Sequence, residues 1–279
     1  MINLPYDKTI DKIKKESLDK CKFIIVDNLQ ESFYSGLDKL SPWTDKVIVL
    51  TGGKHTSHTW PKVINIPEWF WYFESLWYKD RGYHQYEPQL LEKQQLFFMP
   101  IRRYKPGREL IYHGLQDILD NAIWSYVEKG VELPGYPDDK KEDQRWFNPD
   151  WYNNTVFSVV NEDSDDQCPL IWTEKTCKPL AFYHPFILVA QQGVLDLIKQ
   201  SGFQTFPELF DESYDSIPVL KDRVNCVIQQ IKQFDRKKVL LPELQEKLKY
   251  NHDRFFNTTL VYQNLTNQLI NPLLEIFND

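Results

Sequence analysis

One stretch in the middle of the chain places charged side chains at an element boundary. The apolar run Thr155–Val160 predicts a strand, and Thr173-Glu174-Lys175 then predicts the start of a helix. Thr173 is a preferred N-cap, and the amides and dipole of a first helical turn favour an anion. Lys175 adds a mobile positive charge, and Glu174 can accept hydrogen bonds from sugar hydroxyls such as a ribose diol. This pattern predicts a nucleotide-sugar diphosphate site, with ordinary helix capping as the alternative.

The same stretch resembles the donor-binding motif of the α-1,3-fucosyltransferases and related GT-B glycosyltransferases. In that family a strand ends in Phe-Glu-Asn-Ser, and Tyr-Val-Thr-Glu-Lys then opens a helix that leads to another strand. The counterparts here are Asn161-Glu162-Asp163-Ser164, Ile171-Trp172-Thr173-Glu174-Lys175 and His184-Pro185-Phe186. Thr173–Pro179 and Phe210–Asp215 also resemble segments of small glycosyltransferase-like proteins of bacteriophages and other large viruses. The resemblance covers residues 95–235.

The resemblance implies a donor site built from charged and polar side chains. These are Arg108, Asp163, Thr173, Glu174, Lys175 and Lys178. Glu174 would bind the nucleotide ribose and Lys175 the diphosphate, while Arg108 fits the arginine that begins the first helix of the family's second domain. Glu162 and Asp163 would approach the transferred sugar, and Lys178 would assist or be solvated. Ile171 stands where the family has a tyrosine that contacts the nucleobase, so the resemblance does not support a guanine donor.

The implied chemistry expels a diphosphate whose charge must be stabilised. Arg108, Lys175 and the helix amides would do this, so we expect a metal-independent reaction with no cofactor beyond the nucleotide-sugar co-substrate. Asp163-Ser164-Asp165 is formally a D-x-D metal motif, but it precedes a helix start instead of ending a nucleotide-binding unit.

A carboxylate or histidine from the N-terminal part should deprotonate the acceptor hydroxyl. Glu68 and His55 join Glu162 as the catalytic candidates, with Glu74 and His58 as further possibilities. Two other features have several interpretations. The aromatic cluster from Trp69 to Tyr78 is either core or a sugar-binding or partner-binding face, and Arg145-Trp146 could stack on a base or sugar.

Short apolar runs alternating with helical patterns predict parallel sheets with helices on their faces. We therefore expect an α/β, GT-B-like fold with two Rossmann-like units and a helical C-terminal segment. The predicted divisions are an acceptor-side unit over residues 1–90, a nucleotide-sugar-binding domain over 91–240, and C-terminal helices over 241–279 that pack across both.

Composition excludes several other classes of protein. The 279 residues include only 10 glycines, and neither a G-x-G-x-x-G fingerprint nor a P-loop is present. The net charge of −7 argues against a surface that binds nucleic acid throughout, although not against a local basic groove. No apolar run approaches the ~20 residues of a membrane span. The spacing of the four cysteines and the polar N-terminus favour a cytoplasmic protein, in the host cell if it is viral.

The sequence thus predicts a glycosyltransferase that moves a sugar from a nucleotide-diphosphate sugar to a hydroxyl acceptor. A glycan or small molecule is the favoured acceptor. One alternative is a phage-type enzyme that glycosylates a hydroxymethylated base in DNA. The positive charge would come from Lys12, Lys14 and Lys15 or from the Arg102–Arg108 turn. Another is a noncatalytic protein that binds a nucleotide sugar or glycan. Neither the oligomeric state nor the base or sugar of the donor is predicted.

Overall fold

The computed structural model describes residues 2–4, 15–29, 37–53, 60, 62–89, 93–137, 145–146, 148–162, 170–240 and 242–278. The strands are β1 (Ile2–Leu4), β2 (Ile24–Asn28), β3 (Val47–Thr51), β4 (Val63–Asn65), β5 (Gln95–Ile101), β6 (Ala122–Tyr126), β7 (Thr155–Asn161) and β8 (Phe186–Val189). The helices are α1 (Lys15–Lys20), α2 (Trp69–Asp80), α3 (Pro106–Leu115), α4 (Pro149–Asn153), α5 (Glu174–Ala181), α6 (Val194–Gln200), α7 (Leu220–Lys232), α8 (Pro242–Phe255), α9 (Thr258–Leu265) and α10 (Asn271–Asn278). No helix in these ranges is long and apolar enough to cross a membrane.

The chain forms two compact units whose boundaries differ from the predicted ones. The first comprises Met1–Phe73, Asp166–Trp172 and Asn257–Asp279, and the second Glu74–Asp165 and Thr173–Phe256. This division differs from the expected boundary at residue 90, because the residues after Phe73 belong to the second unit. Ser75, for example, donates a 2.6 Å hydrogen bond to the Phe255 carbonyl. The C-terminal segment is not one body either, since α8 packs on α5 within the second unit and residues from Asn257 belong to the first.

The first unit contains a parallel sheet in which the strand order follows the chain. The order is β1-β2-β3-β4, and each strand pairs only with its sequence neighbours. Leu18, Ile24, Leu40, Trp43 and Val47 belong to its buried core. Among the strands that the structure describes here the order never reverses, so they form no topological switch point of the kind at which open α/β sheets bind ligands.

The second unit contains a parallel sheet of order β6-β5-β7-β8. The chain passes from β5 outward to β6 and later from β7 outward to β8, so the direction of winding reverses between β5 and β7. Such a reversal leaves a crevice beyond the carboxyl ends of the two central strands. The expectation of an α/β fold with parallel sheets is therefore confirmed.

Aromatic residues pack on both faces of the second sheet. On one face Phe157 contacts Phe210 and Phe234, with ring centroids 5.1 and 4.7 Å away. On the other face Tyr152 contacts Phe98 and Phe182, at 5.1 and 5.9 Å. All seven residues of β7 are buried, as expected for a parallel strand that is covered on both faces.

The cluster from Trp69 to Tyr78 is helical and mostly core. Trp71 and Tyr78 are fully buried in α2 and Tyr72 nearly so.

Cys21, Cys177 and Cys226 are free thiols, while Cys168 lies outside the described residues.

Candidate functional site

A cavity of about 340 Å³ lies within the second unit, at the reversal between β5 and β7. Its volume falls in the range of about 300–1,000 Å³ typical of small-molecule sites. Its lining includes charged side chains, here called the charged part: Arg102, Arg108, Glu132, Glu174, Lys175 and Lys178. It also includes aromatic and apolar side chains, here called the aromatic part: Phe98, Pro100, Leu133, Tyr136, Trp151 and Tyr152. The cavity therefore offers both charged and apolar surface to a ligand.

The cavity opens because the ladder between the two central strands stops early. The β5–β7 pairing reaches only Phe98 opposite Ser158. Beyond that point β5 continues to Ile101 along β6, and β7 continues to Asn161 along β8. Pro100 lies in the separated stretch, and proline has no N–H to donate to a ladder. It is also the exposed residue of an otherwise buried run, Phe97–Ile101, so this part of the sheet is open to the cavity.

Glu162 organises the start of α5. Its Oε1 accepts hydrogen bonds from the Thr173 amide (2.8 Å), the Thr176 amide (3.2 Å) and the Thr176 hydroxyl (2.7 Å). Its Oε2 accepts one from the Thr173 hydroxyl at 2.6 Å, and only 1% of the residue is exposed. A carboxylate at a helix N-terminus satisfies amides that have no partner within the helix. Glu162 therefore acts on the geometry of α5, whereas its predicted approach to a sugar stays untested.

Glu174 and Lys175 face the cavity as a pair. The Lys175 Nζ lies 2.9 Å from Glu174 Oε1 and 2.9 Å from the Thr173 hydroxyl. Burial alone would raise the pKa of the Glu174 carboxyl, but Lys175 and Lys178 outweigh burial and hold it at about 2. Burial lowers the pKa of Lys175, yet Glu174 and Glu162 reverse that effect and raise it. Both groups are thus ionised at neutral pH, one as a hydrogen-bond acceptor and one as a cation.

Arg108, in the first turn of α3, supplies a further cation to the cavity. Pro106 occupies the start of this helix, where its missing N–H costs nothing. The Arg108 guanidinium donates to the Arg103 carbonyl at 3.2 Å and to the Asn161 carbonyl at 3.3 Å, and 9% of the residue is exposed. It thereby lies against the end of β7, in the region where β5 and β7 have separated.

The structure brings together most of the predicted donor site. Arg108, Glu174, Lys175 and Lys178 line one cavity, and Thr173 is the N-cap of α5, accepting from the Lys175 amide. Glu68 belongs to the first unit and does not line this cavity. His55 and Asp163 lie outside the described residues, so their predicted roles stay predictions.

Glu74 occupies a buried position on α2. Its side chain is fully buried, and Oε1 accepts a 2.7 Å hydrogen bond from Arg145 Nε. Burial raises the pKa of this carboxyl against the opposing effect of Arg145. Arg145 is thus an ion-pair partner, while its neighbour Trp146 packs on Tyr136 and Trp151. Glu74 does not line the cavity.

Sequence reasoning missed the aromatic part of the cavity. Tyr136 belongs to no recognisable motif, and Phe98 and Trp151 appear in the sequence as ordinary apolar residues. The available signal was Pro100, because a proline in an apolar run that reads as a central strand marks an interruption of the ladder.

No protein-family model, no curated protein and no solved structure matches this chain. Within the described ranges no group of three or more histidine, cysteine, aspartate or glutamate side chains is arranged to hold a metal ion. The site is therefore defined by its own geometry: an apolar slot that leads to a carboxylate flanked by lysines and an arginine.

Proposed function

We propose that this protein is a glycosyltransferase of GT-B type that moves a sugar from a nucleoside-diphosphate sugar to a hydroxyl acceptor. One observation carries the proposal. Arg108, Lys175 and Lys178 surround a cavity at the strand reversal, and the ionised Glu174 lies among them. The cations can bind a diphosphate. A carboxylate beside them would repel the diphosphate but can accept hydrogen bonds from hydroxyl groups. A ligand that carries both, such as a nucleotide sugar, fits this combination best.

The chemistry uses these cations at the leaving group. The acceptor oxygen forms a bond to the anomeric carbon, the bond from that carbon to the diphosphate oxygen breaks, and the nucleoside diphosphate leaves with the electron pair. Arg108 and Lys175, which line the cavity, would stabilise the negative charge that grows on the leaving group. We accordingly expect turnover without a metal ion. The acceptor proton passes to a base, for which Glu68 and His55 stay the predicted candidates.

Two alternatives remain distinct from this proposal. A noncatalytic protein would bind the donor but release no nucleoside diphosphate. A DNA-modifying enzyme would use the exposed basic turn at Arg103 beside the cavity, and its binding to duplex DNA would weaken steeply with salt. We favour a glycan or small acceptor because the chain is acidic as a whole.

A thermal-shift screen over UDP, GDP, ADP and CMP sugars tests donor binding. A ligand that binds only the native state raises its apparent stability. Lys178→Ala should weaken the best donor about tenfold or more, because it removes one charge-assisted contact. Lys232→Ala is the matched control, since Lys232, the last residue of α7, pairs with Asp117 and does not line the cavity.

The stabilising donor is then incubated with candidate acceptors in the presence and absence of EDTA. Release of nucleoside diphosphate, unaffected by EDTA, is the expected result. The proposal fails if no sugar nucleotide stabilises the protein, or if Lys178→Ala and Lys232→Ala bind the donor equally well.

A further inference from the structure

We propose that the aromatic part of the cavity is a subsite for the nucleobase of the donor, with Tyr136 as a specificity-determining residue. This inference rests on the proposed function, because it assigns the other end of the same ligand. The aromatic side chains that line the cavity are those of Phe98, Tyr136, Trp151 and Tyr152.

The cavity offers that surface in a preformed stack. Trp151 lies between Phe98 and Tyr136, with ring centroids 5.5 and 5.6 Å apart and interplanar angles of 25° and 24°. The Trp151 indole N–H is held by the Pro134 carbonyl at 2.9 Å. Because Trp151 and Phe98 are almost entirely buried, Tyr136, which is half-buried, is the ring of this stack that a ligand can reach most readily.

Pro100, two residues after Phe98 on β5, lines the same cavity. It is exposed in the gap where β5 and β7 no longer pair, and its ring presents an apolar surface without a donor. A planar base can lie against such a surface without leaving a buried backbone amide unpaired. Ile101 and Arg102, which follow Pro100 in the chain, line the same cavity, so this segment carries both apolar and charged lining residues.

The two parts together orient the ligand. Cations at Arg108, Lys175 and Lys178 attract the diphosphate, and an aromatic wall attracts the base through its π-face. In a nucleoside diphosphate the ribose connects these two groups. Glu174, which lines the charged part, is then available to its hydroxyls.

The test compares inorganic pyrophosphate with ADP, GDP, UDP and CDP by isothermal titration calorimetry on the full chain. Pyrophosphate can occupy only the charged part, so it measures that part alone. In the wild type at least one nucleoside diphosphate should bind ten times tighter than pyrophosphate. Tyr136→Ala should weaken that nucleotide about 5- to 150-fold while leaving pyrophosphate unchanged, as expected for loss of one base–aromatic stack.

Three further variants control for folding and for the ring itself. Tyr136→Phe keeps the ring and should bind like the wild type, whereas Tyr136→Leu keeps apolar bulk against Trp151 and should bind like Tyr136→Ala. Tyr250→Ala removes a tyrosine, 42% exposed, that does not line the cavity and should change nothing.

The outcomes separate the two claims. If pyrophosphate and the nucleotides all fail to bind, the proposed function falls and this subsite falls with it. If they bind equally, or if Tyr136→Ala leaves the nucleotide unaffected or weakens pyrophosphate to the same extent, the base subsite is wrong while the charged site stands.

Discussion

Glu162 offers a sharp test of whether buried charge at this site organises α5. Replacing it by alanine removes the acceptor of four hydrogen bonds, from the amides and hydroxyls of Thr173 and Thr176. These groups are buried or half-buried at a helix start, so water cannot fully replace the carboxylate. The expected result is a large loss of stability concentrated at the beginning of α5.

The size of the effect follows from the number and kind of these bonds. A hydrogen bond to a charged group contributes about 1.5–3 kcal/mol, but bonds that share one acceptor are not additive. Breaking a buried charged network costs about 3–5 kcal/mol, which we take for Glu162→Ala. Glu162→Gln keeps the shape and loses the charge, so about half of that cost is expected.

Hydrogen exchange followed by mass spectrometry measures the local loss of stability at α5. In Glu162→Ala, peptides that cover α5 should exchange about 150- to 4,000-fold faster, because every 1.4 kcal/mol of opening free energy is tenfold. Asp196→Asn is the control. Asp196 also lies in a first turn, but its side chain is 72% exposed and 3.8 Å from Lys199, so its loss should cost less than about 0.5 kcal/mol. If Glu162→Ala exchanges within threefold of this control, the capping argument is refuted.

Three other predictions concern steric fit and pH. Gly52→Ala should destabilise the first unit by about 1–3 kcal/mol in urea unfolding, because a Cβ would lie 2.1 Å from the Leu29 carbonyl oxygen. Ser41→Ala is the control, and a Gly52→Ala variant as stable as this control would contradict the prediction. His184 is buried, and burial lowers its pKa to about 3. As the pH drops below about 6.5, this histidine therefore binds a proton in the unfolded chain but not in the folded one, so the free energy of unfolding should fall. His184→Gln should flatten urea midpoints between pH 7 and 4.5, and an unchanged slope would count against a buried neutral imidazole. The pKa of the Glu174 carboxyl is held at about 2, so its contribution to the free energy of unfolding is fully present above about pH 4.5 and is lost as the pH falls toward 2. Glu174→Gln should remove this acid-dependent loss of stability. An acid profile like that of the wild type would argue that the carboxylate is not paired.

Most individual elements could be predicted from the sequence. The run at Lys46–Leu50 predicts a strand that the structure places at Val47–Thr51, and the segment at Ala122–Tyr126 matches β6 residue for residue. Thr173 was predicted as an N-cap and is one. These predictions succeed because they rest on local physics: an apolar run needs burial, and a threonine before a helix satisfies a free amide.

The unit boundaries could not be predicted in this way. The polar, proline-containing segment before Gln95 suggests a linker, yet the division falls inside the continuous helix α2. Composition reports where the chain is hydrophilic, whereas a unit boundary depends on which distant segment each helical turn packs against. Ser75 and Phe255, which are far apart in the chain and joined by a hydrogen bond, illustrate that dependence.

By itself the sequence determined the chemistry available at the start of α5: a capping threonine, a carboxylate and a lysine in consecutive positions. It also determined that the fold is α/β, since short apolar runs alternate with helical patterns. Only the tertiary structure decided that the Glu162 carboxylate accepts hydrogen bonds from the start of α5 and that the β5–β7 ladder ends before Pro100. It also decided that the rings of Phe98, Tyr136 and Trp151 stack together. The physical reason is that strand order and long-range packing bring together residues whose separation along the chain carries no local signal.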